Sequence, residues 1–471
     1  MTLGTSTRRS ALALTAVAAL ALAGCGGGGG ASTDAQRNAD AKTVALTISA
    51  NVAQGGKNAA EADWIVKYVI PEFTKQMAAE GVTATVTLQP SGVDDEQFKT
   101  KQSLDMKTGG GADIVSLDGI WIGEFAQAGY IKPLAEVVGP AAAAWDGWAQ
   151  VPQAVQQLAV FDGKSYGIPN GTDGRVLYFN KQLFAQAGLP ADWQPTSWQD
   201  VLDAGAKLKA LPGVDPIQLN GGTAMGEATT MQGVLPVLAG TGAPLQADGK
   251  WQGNTQAVRD MLGLYKSIYS GGLGDPQLQQ DAKGRDKSFQ EFAAGKVGIL
   301  LESDYFWRSV VEPKAGVAPM ANRDQVVGWA KIPAQQAGKG LKGQDFVSMS
   351  GGGARVINPN TKYPQQAWKL LAFMNSAAAV KAQLAGTAKI TQRTDVNNDV
   401  LAGDPMLSFM SSQVLPLTAY RPGVAEYPQV SKALQDATAA VVSGTAPDQA
   451  ATAYQKALEG ALGGASNITS N

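Results

Sequence analysis

Polar and apolar residues alternate in "TVALTIS" (43–49), and that period of two, rich in β-branched side chains, predicts an opening strand. The period then changes. In "AAEADWIVKYVIPEFTKQMAAEG" (59–81) Trp64, Ile65, Tyr68, Val69 and Phe73 fall on one face of a helix that Gly81 stops. "VTATVTLQP" (82–90) returns to the strand period, "DDEQFKTKQSLDMKTGG" (94–110) reads as a helix beginning on acids and ending on glycines, and "ADIVSLDG" (112–119) as a third strand. Strands alternating with helices form parallel βαβ units, whose ligands gather at the carboxyl ends of the strands. Further along, "VLYFNKQLFAQAGL" (176–189) passes from strand into helix, and "SWQDVLDAGAKLKAL" (197–211) is amphipathic with Ser197 placed as N-cap. "KVGILLES" (296–303) reads as a buried strand, while 255–272, 363–376 and 427–444 read as helices. No internal repeat is visible.

The N-terminus follows another pattern. After Arg8 and Arg9 comes a mostly apolar run that closes on small residues, the layout of a secretory signal and too short to cross a bilayer. Leu22-Ala23-Gly24-Cys25 resembles the lipobox of bacterial lipoproteins, which implies that residues 1–24 are removed as a signal peptide and that Cys25 is acylated, with palmitate among its chains. Residues 25–42, opening on five glycines and nearly devoid of apolar side chains, are then expected to be a flexible tether to the membrane.

Composition narrows the chemistry. The chain holds 38 Lys and Arg against 40 Asp and Glu, a mildly acidic balance with no footprint for nucleic acid. It has no histidine and one cysteine, so Ser-His-Asp and Cys-His catalysis and the common zinc sites are excluded. Neither a metal nor a cofactor motif is found: "DVNND" (395–399) lacks the glycine and the final glutamate of a calcium loop, and "GGTAMG" (221–226) lacks the Lys-Ser/Thr of a phosphate loop. About 450 residues after the signal exceed one ordinary core and favour two lobes.

The blocks "GADIVSLDGIWIGEFAQAGYIKPL" (111–134), "FDGKSYGIPNGTDGRVLYFNKQLFAQAGLP" (161–190), "FAAGKVGILLESDYFW" (292–307) and "GGGARVINPNTKYPQQAWKLLAFMNS" (351–376), in this order, resemble the extracellular solute-binding lipoproteins of carbohydrate-type ABC importers. The resemblance spans roughly residues 43–460 and includes "RPGVAEYPQVSKALQDATAAVVSGTAPDQAATAYQKAL" (421–458). It implies an α/β fold, a two-lobed clamshell like the periplasmic binding proteins, with discontinuous lobes joined by a hinge. Crossings are expected near Tyr166 to Pro169 and near Val326 to Lys331, so that 43–168 with 327–375 form one lobe and 169–326 with 376–471 the other. The implied partners are a small carbohydrate or polyol, the subunits of an ABC permease, and the membrane through the lipid; the protein is expected to be a monomer and not an enzyme.

Hydroxyl-rich ligands call for carboxylates, amides and arginine toward their hydroxyls and for aromatic rings against their C–H faces. The resemblance assigns these roles to Asp118 and Trp121 after the third strand, Asn170 and Asp173 at the first crossing, and Glu227 in a glycine-flanked loop. Asp304, Tyr305 and Trp307 after strand 296–303, Gly352, and Arg421 complete the set. Plainer roles stand beside these. Asp118, Asp173 and Glu227 also suit caps, Trp121 suits core packing, only one or two of Tyr305, Phe306 and Trp307 are expected to reach a cleft, and Arg393 suits a loop. Gly353 and Ser303 stand where sugar-binding relatives often carry tryptophan, which argues for a monosaccharide, short disaccharide or polyol over a long oligosaccharide. The alternatives are an extracellular carbohydrate-active enzyme with paired carboxylates, or a lipoprotein that senses or scaffolds.

Overall fold

The two largest sheets, of five and four strands, form where the apolar strands of the chain gather. The computed structural model describes residues 34–470 other than Lys57 and Asp94, so Cys25, the signal segment and the start of the tether lie outside the described residues. The first lobe opens with β1 (Thr43–Ala50), β2 (Thr83–Pro90) and β3 (Ile114–Asp118), all parallel, with β1 in the middle. After β4 (Gly167–Pro169) the chain leaves for the second lobe, where β5 (Arg175–Asn180), β6 (Asp215–Gln218), β7 (Val297–Ser303) and β8 (Val327–Ala330) form a sheet in the order β8-β5-β7-β6. β9 (Phe346–Ser350) leads through Gly351 and Gly352 into β10 (Gly353–Ile357), which pairs antiparallel with β3 and β4 and completes the first sheet. Lastly β11 (Thr418–Tyr420) lies parallel to β9.

The strands bury both faces, as sheets covered by helices do. In β5, Leu177 and Phe179 enter one core of the second lobe while Val176 and Tyr178 enter the core on the opposite face. In β3 and β10, Ile114 and Ile357 face one first-lobe core, and Val115, Leu117, Ala354 and Val356 face the other. The helix expected over 59–81 runs from Ala59 to Ala79 with Trp64, Ile65, Val69 and Phe73 buried, and a π-helical turn at Ile65–Val69. Similar turns at Thr230–Val234 and Met410–Val414 also end just before a proline, Pro236 and Pro416, as Ile65–Val69 does before Pro71. A proline withdraws an amide donor and crowds the preceding turn, and the wider turn relieves both. Ser197 caps the helix Trp198–Leu208 through a reciprocal capping box with Asp200.

Three expected boundaries need correction. The strand Val327–Ala330 pairs with β5, so the second crossing falls at Gly351 and Gly352, not at Val326 to Lys331. The apolar "VGWA" extends the second sheet, and only glycine at 328 fits against the Phe179 ring. The return to the second lobe comes after Leu384, not at residue 376: Ala379 is buried in the first-lobe core and its carbonyl accepts from Trp64 Nε1 at 2.9 Å. Finally, residues 34–42 are not a free tether. Asn38 Nδ2 donates to the Lys362 carbonyl at 2.9 Å, and Gln366 donates to the carbonyls of Asn38 and Ala39 at 3.0 and 2.9 Å, which docks the segment on the helix Pro364–Met374.

Candidate functional site

The carboxyl ends of β1, β3 and β9 meet the first crossing, and most of the candidate side chains collect there. Asp118 ends β3, where its carboxylate accepts from the Ile120 N–H at 3.1 Å and stands 3.9 Å from the Arg421 guanidinium. Burial, reinforced by the charges of Asp95 and Asp173, pushes Asp118 above the ordinary carboxylate range against the pull of Arg421. Behind it the Gly119 N–H donates to the Gly352 carbonyl at 3.0 Å. Gly352 has φ +142°, and a Cβ there would run into the Gly171 carbonyl, so the two crossings can pass this closely only with glycine.

Asp173 lies on the first crossing. Its carboxylate accepts from Arg175 Nη1 and, at 2.6 Å, from the Gly351 N–H, while the Ser350 hydroxyl donates to its carbonyl. Burial works to raise its pKa, but Arg175 and the Gly351 N–H, with Arg421 beyond, outweigh burial and hold it below the usual value. Arg175 also donates to Gln232 at 3.0 Å and to the Met349 carbonyl at 3.2 Å, tying the crossing to the second lobe. Asn170 donates its backbone N–H to the Gly353 carbonyl at 2.9 Å.

Arg421 spans the gap. It donates to Glu227 Oε1 at 2.9 Å on the second lobe while facing Asp118 on the first. Glu227 accepts as well from the hydroxyls of Tyr427 and Ser431, each at 2.6 Å. Both of its oxygens are therefore engaged, and what Glu227 does in this arrangement is hold the arginine. A cavity of about 190 Å³ opens over the first sheet, bordered by Asn51, Asn58, Glu61, Ser116, Asp118, Trp121 and Gly352. A narrower crevice of about 40 Å³ lies between Asp118, Gly352 and Arg421.

The other candidates fare differently. Trp121 borders the larger cavity but is only 6% exposed, with its ring 6.5 Å from Phe98, so core packing dominates. Trp307 is corrected outright: it is 2% exposed, its indole N–H is bonded to Asp404 at 2.9 Å, and Arg323 covers its ring at 3.6 Å. Asp304 pairs with Arg308 at 2.9 Å in a buried setting that raises its pKa, and Tyr305 lies under the guanidinium groups of Arg285 and Arg308. Neither borders the two cavities described. Arg393 holds a loop, as expected, through Asp395 at 2.7 Å and the Asn375 carbonyl at 3.1 Å.

Sequence reasoning missed Arg175, Asn51, Glu61 and Ser116. Arg175 stands two residues after Asp173, a visible signal. Glu61 was read only as part of a helix, although it starts the helix just past the carboxyl end of β1; Arg355, fully buried over the Trp64 ring, donates to it at 2.9 Å.

Known proteins share the fold, and in part the sequence, of this chain. A Brucella abortus protein named as a binding protein is 26% identical over 346 residues, 72% of this chain and 73% of its own. The sn-glycerol-3-phosphate-binding periplasmic protein of Rhizobium meliloti is 32% identical over 84 residues, 18% of this chain and 20% of its own. Among solved structures, the sugar-binding protein MalE of Xanthomonas citri aligns with a TM-score of 0.72 at 20% identity, covering 89% of this chain and 98% of its own. Solute-binding proteins of Thermotoga lettingae with bound α-D-tagatose and of Agrobacterium radiobacter with ribitol give TM-scores of 0.60 and 0.59 at 23% and 21% identity. They cover 89% and 88% of this chain, and 100% and 97% of their own. The model of the bacterial extracellular solute-binding proteins matches residues 26–381, and the chain belongs to that family.

Proposed function

We propose that this protein captures a sugar or polyol between its lobes and delivers it to the permease of an ABC importer. The observation that carries the reading is the bridge across the cleft, in which Arg421 reaches Glu227 on one lobe and Asp118 on the other while Asp173 sits at the crossing beside them. A ligand that contacts both sides favours the closed arrangement, because only differential affinity can shift a hinge equilibrium. Carboxylates and arginines offer acceptors and donors to hydroxyl groups. The ligands of the structural relatives, tagatose and ribitol, and the sugar-binding role of MalE are consistent with this chemistry.

Asp118, Asn170, Asp173, Gly352 and Arg421 are the proposed contacts, with Glu227 acting through Arg421. Cys25 is the proposed lipid anchor, placing a monomer on the outer face of the cell membrane. No described helix is long and apolar enough to cross a membrane. Isothermal titration of the purified protein with mono- and disaccharides and polyols tests the reading. Saturable one-to-one binding of an unaltered ligand supports it, and absence of binding to all of them refutes it.

A further inference from the structure

The chain enters the first lobe through a docked strap, residues 34–42. Gln365 donates to the carbonyls of Ala35 and Val138 at 2.7 and 3.0 Å, and Gln366, 3% exposed, donates to those of Asn38 and Ala39 at 3.0 and 2.9 Å. Arg37 reaches the Thr361 carbonyl at 3.3 Å and Asn38 that of Lys362 at 2.9 Å. All of these partners belong to the first lobe. The strap runs directly into β1, and Thr361 beneath it bonds Asp113 just before β3, so the strap marks the amino ends of the parallel strands. The cleft residues Asn51 and Asp118 stand at the carboxyl ends, the length of an eight-residue strand away, roughly 26 Å.

The position of Cys25 turns this polarity into a constraint. Nine residues separate it from Asp34, and in any conformation they span at most about 30 Å. A folded chain of this size is roughly 55 Å across. A lipid on Cys25 therefore keeps the strap pole near the headgroups and puts the opposite pole out of their reach. Were the strap undocked, the 18 residues to Thr43 would reach about 60 Å and either pole could approach. The loop beside the strap suits such a surface: Pro140, Ala143 and Ala144 are exposed, Trp145 and Trp148 are half-buried, and Asp146 is the one charge between residues 139 and 148. Tryptophan and small apolar side chains are at home where water meets lipid.

We propose that the strap pole of the first lobe, with the loop 139–148, is the face this protein turns to the lipid bilayer, and that the docked strap fixes this orientation, leaving the second lobe on the solvent side. This rests on the reading of Cys25 as a lipid anchor. The test uses the full chain, lipidated in a bacterial host and added to preformed phosphatidylglycerol–phosphatidylcholine vesicles that carry an acceptor dye on a headgroup. With Cys25 acylated, an introduced cysteine is the one free thiol. A donor dye goes on Ala143→Cys, beside the strap, or on Ala191→Cys, exposed on the far pole of the second lobe near Trp193, which packs on Phe179 late in β5. Energy transfer to the lipid should be at least about threefold higher from position 143 than from position 191, given the short reach of the leash. A Gly-Ser insertion of about twelve residues after Ser32, which alters no described residue, should bring the two within about 1.5-fold by more than doubling that reach. Gln365→Ala with Gln366→Ala, confirmed as folded by melting, should do the same by freeing the strap. Equal transfer from both positions without these changes, or more from position 191, overturns the orientation, while vesicle binding that is lost in Cys25→Ala leaves the anchor standing. A difference that survives the insertion or the glutamine changes overturns the docked leash as its cause. A chain that binds vesicles no better than Cys25→Ala refutes the anchor, and the orientation with it.

Discussion

Replacing Asp173 with alanine removes the carboxylate that holds the first crossing to the second. The Gly351 N–H, bonded at 2.6 Å, loses its acceptor, and Arg175, whose side chain is 5% exposed, loses its only carboxylate among the described contacts. Breaking a buried pair by deleting one partner costs about 3–5 kcal/mol. Arg175 retains Gln232 and the Met349 carbonyl, and the Asp173 side chain is 30% exposed, so the lower end applies, about 3 kcal/mol. An unfolding entropy of about 2.1 cal/mol/K per residue gives about 0.9 kcal/mol/K for the ordered chain, and hence a drop of roughly 3 °C in melting temperature. Asp173→Asn keeps an acceptor for Gly351 and should lose about half as much. Calorimetric melting of the three proteins, followed by ligand titration, checks both consequences, since affinity should fall at least tenfold in the alanine variant. An Asp173→Ala protein that melts within 1 °C of wild type, or binds ligand as tightly, refutes the reasoning.

The remaining predictions test separate parts of the account. Because Asp173 titrates below its unfolded value, its stabilising contribution is complete above the ordinary aspartate pKa and is lost as pH falls through the lowered folded value; wild type should lose its melting advantage over Asp173→Asn only below about pH 4. For Asp118 the sign reverses: burial favours the protonated form, so Asp118→Asn should melt no lower than wild type at pH 7 while binding ligand at least fivefold more weakly, about one hydrogen bond. Trp307→Leu should lower the melting temperature by several degrees through lost packing, at about 3 kcal/mol, yet leave ligand affinity within about twofold, which melting and titration of one sample would show. Gly352→Ala, forced against the Gly171 carbonyl at positive φ, should weaken both stability and binding, and circular dichroism melts beside titration would reveal it.

The strands of the first lobe were legible because β1, β2 and β3 are short apolar runs, period-two in β1 and β2, and the helices between them end on glycines. The crossings were less so. The resemblance put the second crossing near Val326 to Lys331, but the apolar residues of "VGWA" find partners in β5, a long-range pairing that no local pattern announces. The glycine run at 351–353 held the real signal, since close approach of two chain segments needs residues without side chains. At the site, Asp118, Asp173 and Arg421 could be placed by resemblance, whereas the role of Glu227 as the holder of Arg421 depends on Tyr427 and Ser431, two hundred residues away. Trp307 misled because a tryptophan beyond a buried strand suits a ring platform and a core anchor equally. Only Asp404 and Arg323, brought in by the tertiary fold, decide between them.

Small-angle X-ray scattering of the purified protein, with and without a saturating ligand identified by titration, tests the central claim most directly. The account predicts one-to-one binding with a smaller radius of gyration as the lobes close, reduced or absent in Arg421→Ala. A bound ligand that leaves the scattering curve unchanged would contradict a trap that works by closing.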